Sequence, residues 1–247
     1  MIKLKKLVIF FAGVLFTTCG VQEIYYLPQV LSNIGRDFNT EARITIPSIS
    51  QYYYARGYRI FYRIYISDHP TTSDISGSPS DRSSISSTLV SDYNYFASLT
   101  DSTNTASVPN INTFRNRSYY ELEFEGIRDI TSVLTTAGGN VTIRFLGIIG
   151  ERPVLIINGK EYILSRSNGG GTFSPVPEDR YFFSSPELNA YGNANSEVNA
   201  DVAGRSGVSQ YAYVCMYIVA TGQNPTNFTR IYSKPTLISI FRLPDRS

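Results

Sequence analysis

The chain has 247 residues, 17% of them charged and 13% aromatic, with 19 Tyr, 14 Phe and no Trp. That balance excludes a disordered chain, and one His with two Cys excludes most metal cages built from those ligands. The formal net charge is only +2, and three of the lysines fall within the first six residues.

Lys3, Lys5 and Lys6 precede an apolar run from Leu7 to Phe16. The run is shorter than the roughly 20 apolar residues that a membrane-spanning helix needs. A charged start before a short apolar stretch is the pattern of a secretory signal peptide, here residues 1–18. The run stops at Leu15-Phe16-Thr17-Thr18-Cys19-Gly20. This segment resembles a bacterial lipobox. The usual pattern has Leu three positions before the Cys and Ala or Gly just before it. Phe16 and Thr18 occupy those places here, which resembles the looser, spirochaete-type motif.

The resemblance covers residues 1–20. It implies cleavage before Cys19, acylation of Cys19 with palmitate-like chains, and export as an outer-membrane or cell-surface lipoprotein of the cell envelope. The lipid bilayer is then a partner through Cys19, since each buried CH₂ contributes about 0.8 kcal/mol and two chains anchor stably. A plain signal peptide with an incidental cysteine is the alternative. Without the three leader lysines, 19 basic groups face 20 acidic ones, so the expected mature chain has no basic excess for nucleic acid. Cys215 is left without a disulfide partner. Within the apolar run from Tyr211 to Val219 it reads as a small core residue.

Period-two alternation dominates the remainder. Ile24 to Leu27 and Ala42 to Ile49 read as early strands. In Tyr58 to Ile66 the even positions are apolar or aromatic and the odd ones include Arg59 and Arg63, which predicts one buried and one half-wet face. Tyr93 to Leu99, Tyr119 to Phe124 and Val141 to Leu146 are further strand candidates, and Gly126 to Thr136 fits a helical turn or two. Val154 to Ile157 and Lys160 to Leu164 flank Asn158-Gly159, the pair that accepts the positive φ angles of a type I′ hairpin turn. Tyr211 to Ala220, Thr229 to Tyr232 and Thr236 to Leu243 close the set. Residues 70–88, 165–177 and 189–209 read as long loops, a length associated with either function or disorder.

This density of strands predicts an all-β fold, an antiparallel β-sandwich. The Tyr-rich strands 58–66 and 211–220, with the closing segment Phe228 to Thr236, resemble fibronectin type III-like sandwiches, without the core Trp that many of them carry. The resemblance implies one elaborated or two fibronectin type III/immunoglobulin-like sandwiches. Division by size gives a lipidated tether at 19–25, sandwiches at 26–125 and 141–247, and a linker or helical turn at 126–140. A single split sandwich over 26–247, with 70–115 as an insertion, is the rival.

No convincing catalytic constellation emerges. Glu121, Glu123 and Glu125 alternate along a strand and read as a solvated face. Ser67, Asp68 and His69 are adjacent and point apart, which the Ser/His/Asp relay forbids. Ser167 to Thr172 is Gly-rich but lacks the Lys-Ser/Thr ending of a phosphate loop. Asn193 to Asp201 has acceptors at alternate positions without the central Gly of a calcium loop. No cofactor and no metal is therefore expected. Tyr52, Tyr53, Tyr54 and Arg56 form the candidate binding surface, because at least one ring of a tyrosine run must face away from a buried side. The expected function is non-catalytic: a binding or adhesion module with a protein or glycan ligand, acting through loops at the sandwich ends. A structural envelope subunit without a soluble ligand is the alternative, and an enzyme is not expected.

Overall fold

Two strands organise the molecule. In the computed structural model, which describes residues 25, 27–30, 40–67, 86–99, 109–145, 152–167, 201–203 and 211–243, β2 (Ala55–Ser67) and β9 (Tyr211–Gln223) each run for 13 residues. They pair antiparallel along almost their whole length, from Ala55 opposite Gly222 to Ser67 opposite Tyr211. On its other edge β9 carries β10 (Arg230–Tyr232) and β11 (Thr236–Arg242). On its other edge β2 carries the two-residue strands β3 (Tyr120–Glu121), antiparallel, and β8 (Val202–Ala203), parallel. A second sheet has the order β1 (Glu41–Ile46), β5 (Gly139–Arg144), β6 (Val154–Ile157), β7 (Lys160–Ser165) and β4 (Glu123–Phe124). The result is an all-β, sandwich-like fold.

The sequence places each element locally. Asn158 (φ 51°) and Gly159 (φ 78°) form the expected left-handed turn between β6 and β7. In β1 every second residue, Ala42, Ile44 and Ile46, is buried. These face the even positions of β2, Tyr58 to Ile66, and Val214, Met216 and Ile218 of β9, across an apolar layer between the sheets. Leu122 marks the corner where the chain leaves one sheet for the other: its N–H donates to Ile60 O (2.8 Å), with β3 before it and β4 after. Strands from both sides of the 126–140 stretch pair with one another, β1 with β5, β4 with β7 and β2 with β9. That stretch holds a 3₁₀ turn, Ile130–Ser132, and bonds to β2 through Tyr58 N–H and Leu134 O (2.9 Å).

Three expectations are corrected. The odd face of β2 is not half-wet. Phe61 and Tyr65, with Tyr213, Cys215, Tyr217 and Val219 of β9, are buried in a second apolar layer. Helices α1 (Ser87–Ser98) and α2 (Ile111–Arg115) cover that layer. Helix α1 itself replaces the strand expected at Tyr93 to Leu99. Its buried residues Leu89, Asp92 and Phe96 follow helical spacing, and Asp92 within the stripe hid that spacing from an apolar count. Finally, Tyr25 and Leu27 belong to no strand. Pro28 offers no N–H to a ladder, and the segment is held instead by Gln29 Nε2 donating to Thr236 Oγ1 (3.1 Å) and Thr236 Oγ1 donating to Val30 O. The expected loops also start or end in regular structure: β7 reaches Ser165, α1 begins at Ser87 and β8 occupies 202–203. The signal peptide, Cys19, Asp68, His69 and the residues from Asn168 to Ala200 lie outside the described residues.

A β-bulge at Arg56 shifts the β2–β9 register between Ala55 and Gly57. Gly57 takes φ +138°, and a Cβ there would stand 2.3 Å from Leu134 O. Gly57→Ala is expected to destabilise the fold by at least about 2 kcal/mol, read as a lower urea midpoint at unchanged slope.

Candidate functional site

The tyrosine run Tyr52-Tyr53-Tyr54 forms the turn that leads into β2. Tyr52 N–H donates to Ile49 O (3.0 Å) and Ala55 N–H to Tyr52 O (2.8 Å), which folds the three residues over the sheet end. Tyr52 and Tyr54 lean on the inter-sheet core, while Tyr53 is 70% exposed. Tyr25 joins the group: its ring meets Tyr54 edge-on at 5.2 Å and Tyr53 at 6.4 Å. The bulge leaves Arg56 without a ladder partner and exposed beside them.

The same end contains a residue that sequence reasoning missed. Gln223 N–H donates to Tyr54 O (2.9 Å), so the turn between β9 and β10 sits against the tyrosine turn. Phe228 lies in that turn, 72% exposed and at φ +58°. Side chains fix the turn: Asn224 Oδ1 accepts from Thr226 N–H (2.8 Å), and Asn227 Oδ1 accepts from Thr229 N–H (3.1 Å). Among the described residues, Tyr53 and Phe228 are the exposed large hydrophobic side chains. A lone Phe inside the polar stretch Asn224 to Thr229 was the available signal.

Two buried ionic clusters flank β2 on opposite faces. On the helix face, the Asp92 carboxylate of α1 accepts from Arg63 Nη1 (2.7 Å) and Tyr65 Oη (2.6 Å) at Oδ2, and from Arg117 Nη1 (2.7 Å) at Oδ1. Tyr65 Oη also lies 2.9 Å from Tyr119 Oη. Burial pushes both phenols well above the usual tyrosine range, and the neighbouring Cys215 and Asp92 add to it. On the inter-sheet face, Arg166 is almost wholly buried and grips Asp201 with two nitrogens, Nε to Oδ2 (2.9 Å) and Nη2 to Oδ1 (2.6 Å). Tyr62 Oη reaches the same carboxylate at 2.8 Å, and its own pKa is raised by burial and then by Asp201. Burial alone lowers the Arg166 pKa, but the carboxylate and its hydrogen bonds outweigh it and hold the guanidinium charged.

These pairings decide several expected features. Asp201, the last acceptor of the stretch starting at Asn193, is committed to Arg166 rather than open to a cation. Glu121 and Glu123 are half-buried and Glu125 is exposed, in line with a solvated face, and Glu121 pairs with Arg59 and Glu125 with Arg152 (2.8 Å). Cys215 is buried in the helix-covered layer, as expected. Among the described residues no group of His, Cys, Asp or Glu is arranged to hold a metal. Part of the tyrosine richness also finds its reason here. Tyr58, Tyr62, Tyr65, Tyr119 and Tyr213 are buried rings, and the hydroxyls of Tyr58, Tyr62 and Tyr65 reach Pro47 O, Asp201 and Asp92.

Compared with family models, with curated proteins and with solved structures, the chain finds no match.

Removing one partner of a buried pair strands the other charge, at about 3–5 kcal/mol. Asp201→Ala is expected to cost that much by denaturant titration, whereas the double change Arg166→Met with Asp201→Leu recovers most of the loss. For Phe228 the backbone term dominates, since the side chain is mostly in water. Phe228→Asn, which tolerates the left-handed region, is expected to raise stability by about 0.5–1 kcal/mol, read as a higher melting temperature.

Proposed function

We propose that the chain is an exported envelope protein anchored in a bilayer through acylated Cys19, and that its β-sandwich domain is a non-catalytic binding module. The polarity of the domain carries this reading. Tyr25, six positions after Cys19, sits at the Ala55 end of β2. The segments 68–85 and 204–210 leave the described fold at the other end, from Ser67 and Ala203, and the latter rejoins it at Tyr211 opposite Ser67. Thirteen residues at about 3.3 Å each separate the two ends by about 40 Å. An anchored domain of this form holds Ser67, Ala203 and Tyr211 at the end away from the bilayer, where a protein or glycan ligand meets it.

The charged groups point the same way. Asp92, Asp201, Arg63 and Arg166 are spent on one another, and the buried phenols stay protonated through the neutral range. General acid–base work needs a group poised near the working pH and open to substrate. Asp92, Asp201, Arg63, Arg166 and the buried phenols are invested in structure instead.

Metabolic labelling with an alkyne fatty acid tests the anchor. Wild type is expected to carry the label and Cys19→Ala to lose it, with unprocessed precursor accumulating. Unlabelled wild type overturns the anchored reading and leaves a secreted β-protein.

A further inference from the structure

We infer that the aromatic end built from Tyr25, Tyr53, Tyr54 and Phe228 is the face on which the domain rests against the bilayer holding the Cys19 acyl chains; this rests on the anchoring proposed above. Four observations converge on that occupant. Tyr53 and Phe228, the exposed large hydrophobic side chains among the described residues, come from turns far apart in sequence and share one end of the sheet, joined by the Gln223–Tyr54 bond. Six residues at no more than about 3.5 Å each keep Tyr25 within about 20 Å of an acylated Cys19. The opposite end of β2 lies beyond that reach. Followed back from Val30 and Leu27, which are buried, to Tyr25 at the tip, the chain also heads toward this end.

Charge agrees. Segments 49–56 and 223–230 contain Arg56 and Arg230 and no carboxylate. The exposed Asp129 carboxyl accepts from the Thr131 N–H (2.9 Å) and hydroxyl (2.7 Å), bonds that hold its pKa below the usual carboxylate range, with Arg59 and then Arg230 adding less. An end with apolar rings at its tip, phenol hydroxyls beside them and two arginines behind matches the layering of a headgroup region. Aromatic rings settle there, and arginines reach anionic phosphates. The backbone of Phe228 adds the fourth observation. A bulky residue is held in a left-handed conformation that Gly or Asn occupies more easily, and it gains little burial in return. Its use lies outside the fold, as expected of a side chain that enters another phase.

The chain has no Trp, so single tryptophans report cleanly. The experiment uses purified full-length protein in phosphatidylcholine vesicles containing about one phosphatidylglycerol in three, with and without brominated acyl chains. Tyr53→Trp and Phe228→Trp are compared with Tyr211→Trp at the opposite end, and mass spectrometry of the N-terminal peptide reports acylation of Cys19. The expected result is a blue-shifted emission, largely lost to the brominated lipid, for the first two and an unquenched emission for Tyr211→Trp. If the Tyr53→Trp and Phe228→Trp proteins are acylated and vesicle-bound yet stay unquenched, the seat is overturned and the anchor stands. Unmodified Cys19 removes the tether and overturns both. Equal quenching in all three variants overturns the seat in favour of a domain without fixed orientation.

Discussion

The β2–β9 pair sets the terms for everything else. A 13-residue ladder buried on both faces needs a layer on each side, because burying each large apolar side chain stabilises by about 1.5–3 kcal/mol and leaving either face wet forfeits it. The five-stranded sheet supplies one layer and the two helices the other. The division is strict in β2: Tyr58, Ile60, Tyr62, Ile64 and Ile66 go to the sheet side, Phe61 and Tyr65 to the helix side. On the helix side the contact is aromatic. Phe61 stacks on Phe114 at 3.8 Å, and Phe96 meets Phe114, Tyr119 and Tyr217 at 4.6–5.4 Å. Two short helices cover so much sheet because each contributes a large ring rather than several aliphatic groups.

What the sequence disclosed follows from the range of the interactions involved. The Asn158-Gly159 hairpin, β2, β9 and β11 were legible, since a turn's φ requirement and a strand's alternation are written within a few residues. The helix layer was not. Arg59 and Arg63 look like solvent-facing residues until Glu121 and Asp92 arrive from 62 and 29 positions away to neutralise them. Asp92 deceived twice, interrupting the apolar stripe of α1 while leaving Tyr93 and Tyr95 to imitate a strand. The aromatic end was half legible. Three consecutive tyrosines guarantee an outward ring, and Tyr53 is that ring. Its neighbours Tyr25 and Phe228 depend on the ends of separate elements meeting, and no local pattern encodes that.

Charge placement resolves a difficulty that the long pair creates. The outer edge of β2 would be an open template for another strand, and native proteins cover or blunt such edges. Here the cover consists of β3 and β8, two residues each, too short to persist through ladder hydrogen bonds alone. Each is held by an ion pair at its own boundary. Glu121 of β3 pairs with Arg59, and Asp201, immediately before β8, pairs with Arg166, immediately after β7, and accepts from Tyr62 of β2. Arg166 and Asp201 also stand at the two ends of the segment 168–200, so the same contact fixes where that long connection departs and returns. An apolar pair of equal volume would stabilise about as well, but it would tolerate sliding. A buried carboxylate whose guanidinium has moved by one residue is left unpaired, and that penalty pins β8 to Ile64 and Tyr65 and keeps the edge of β2 closed.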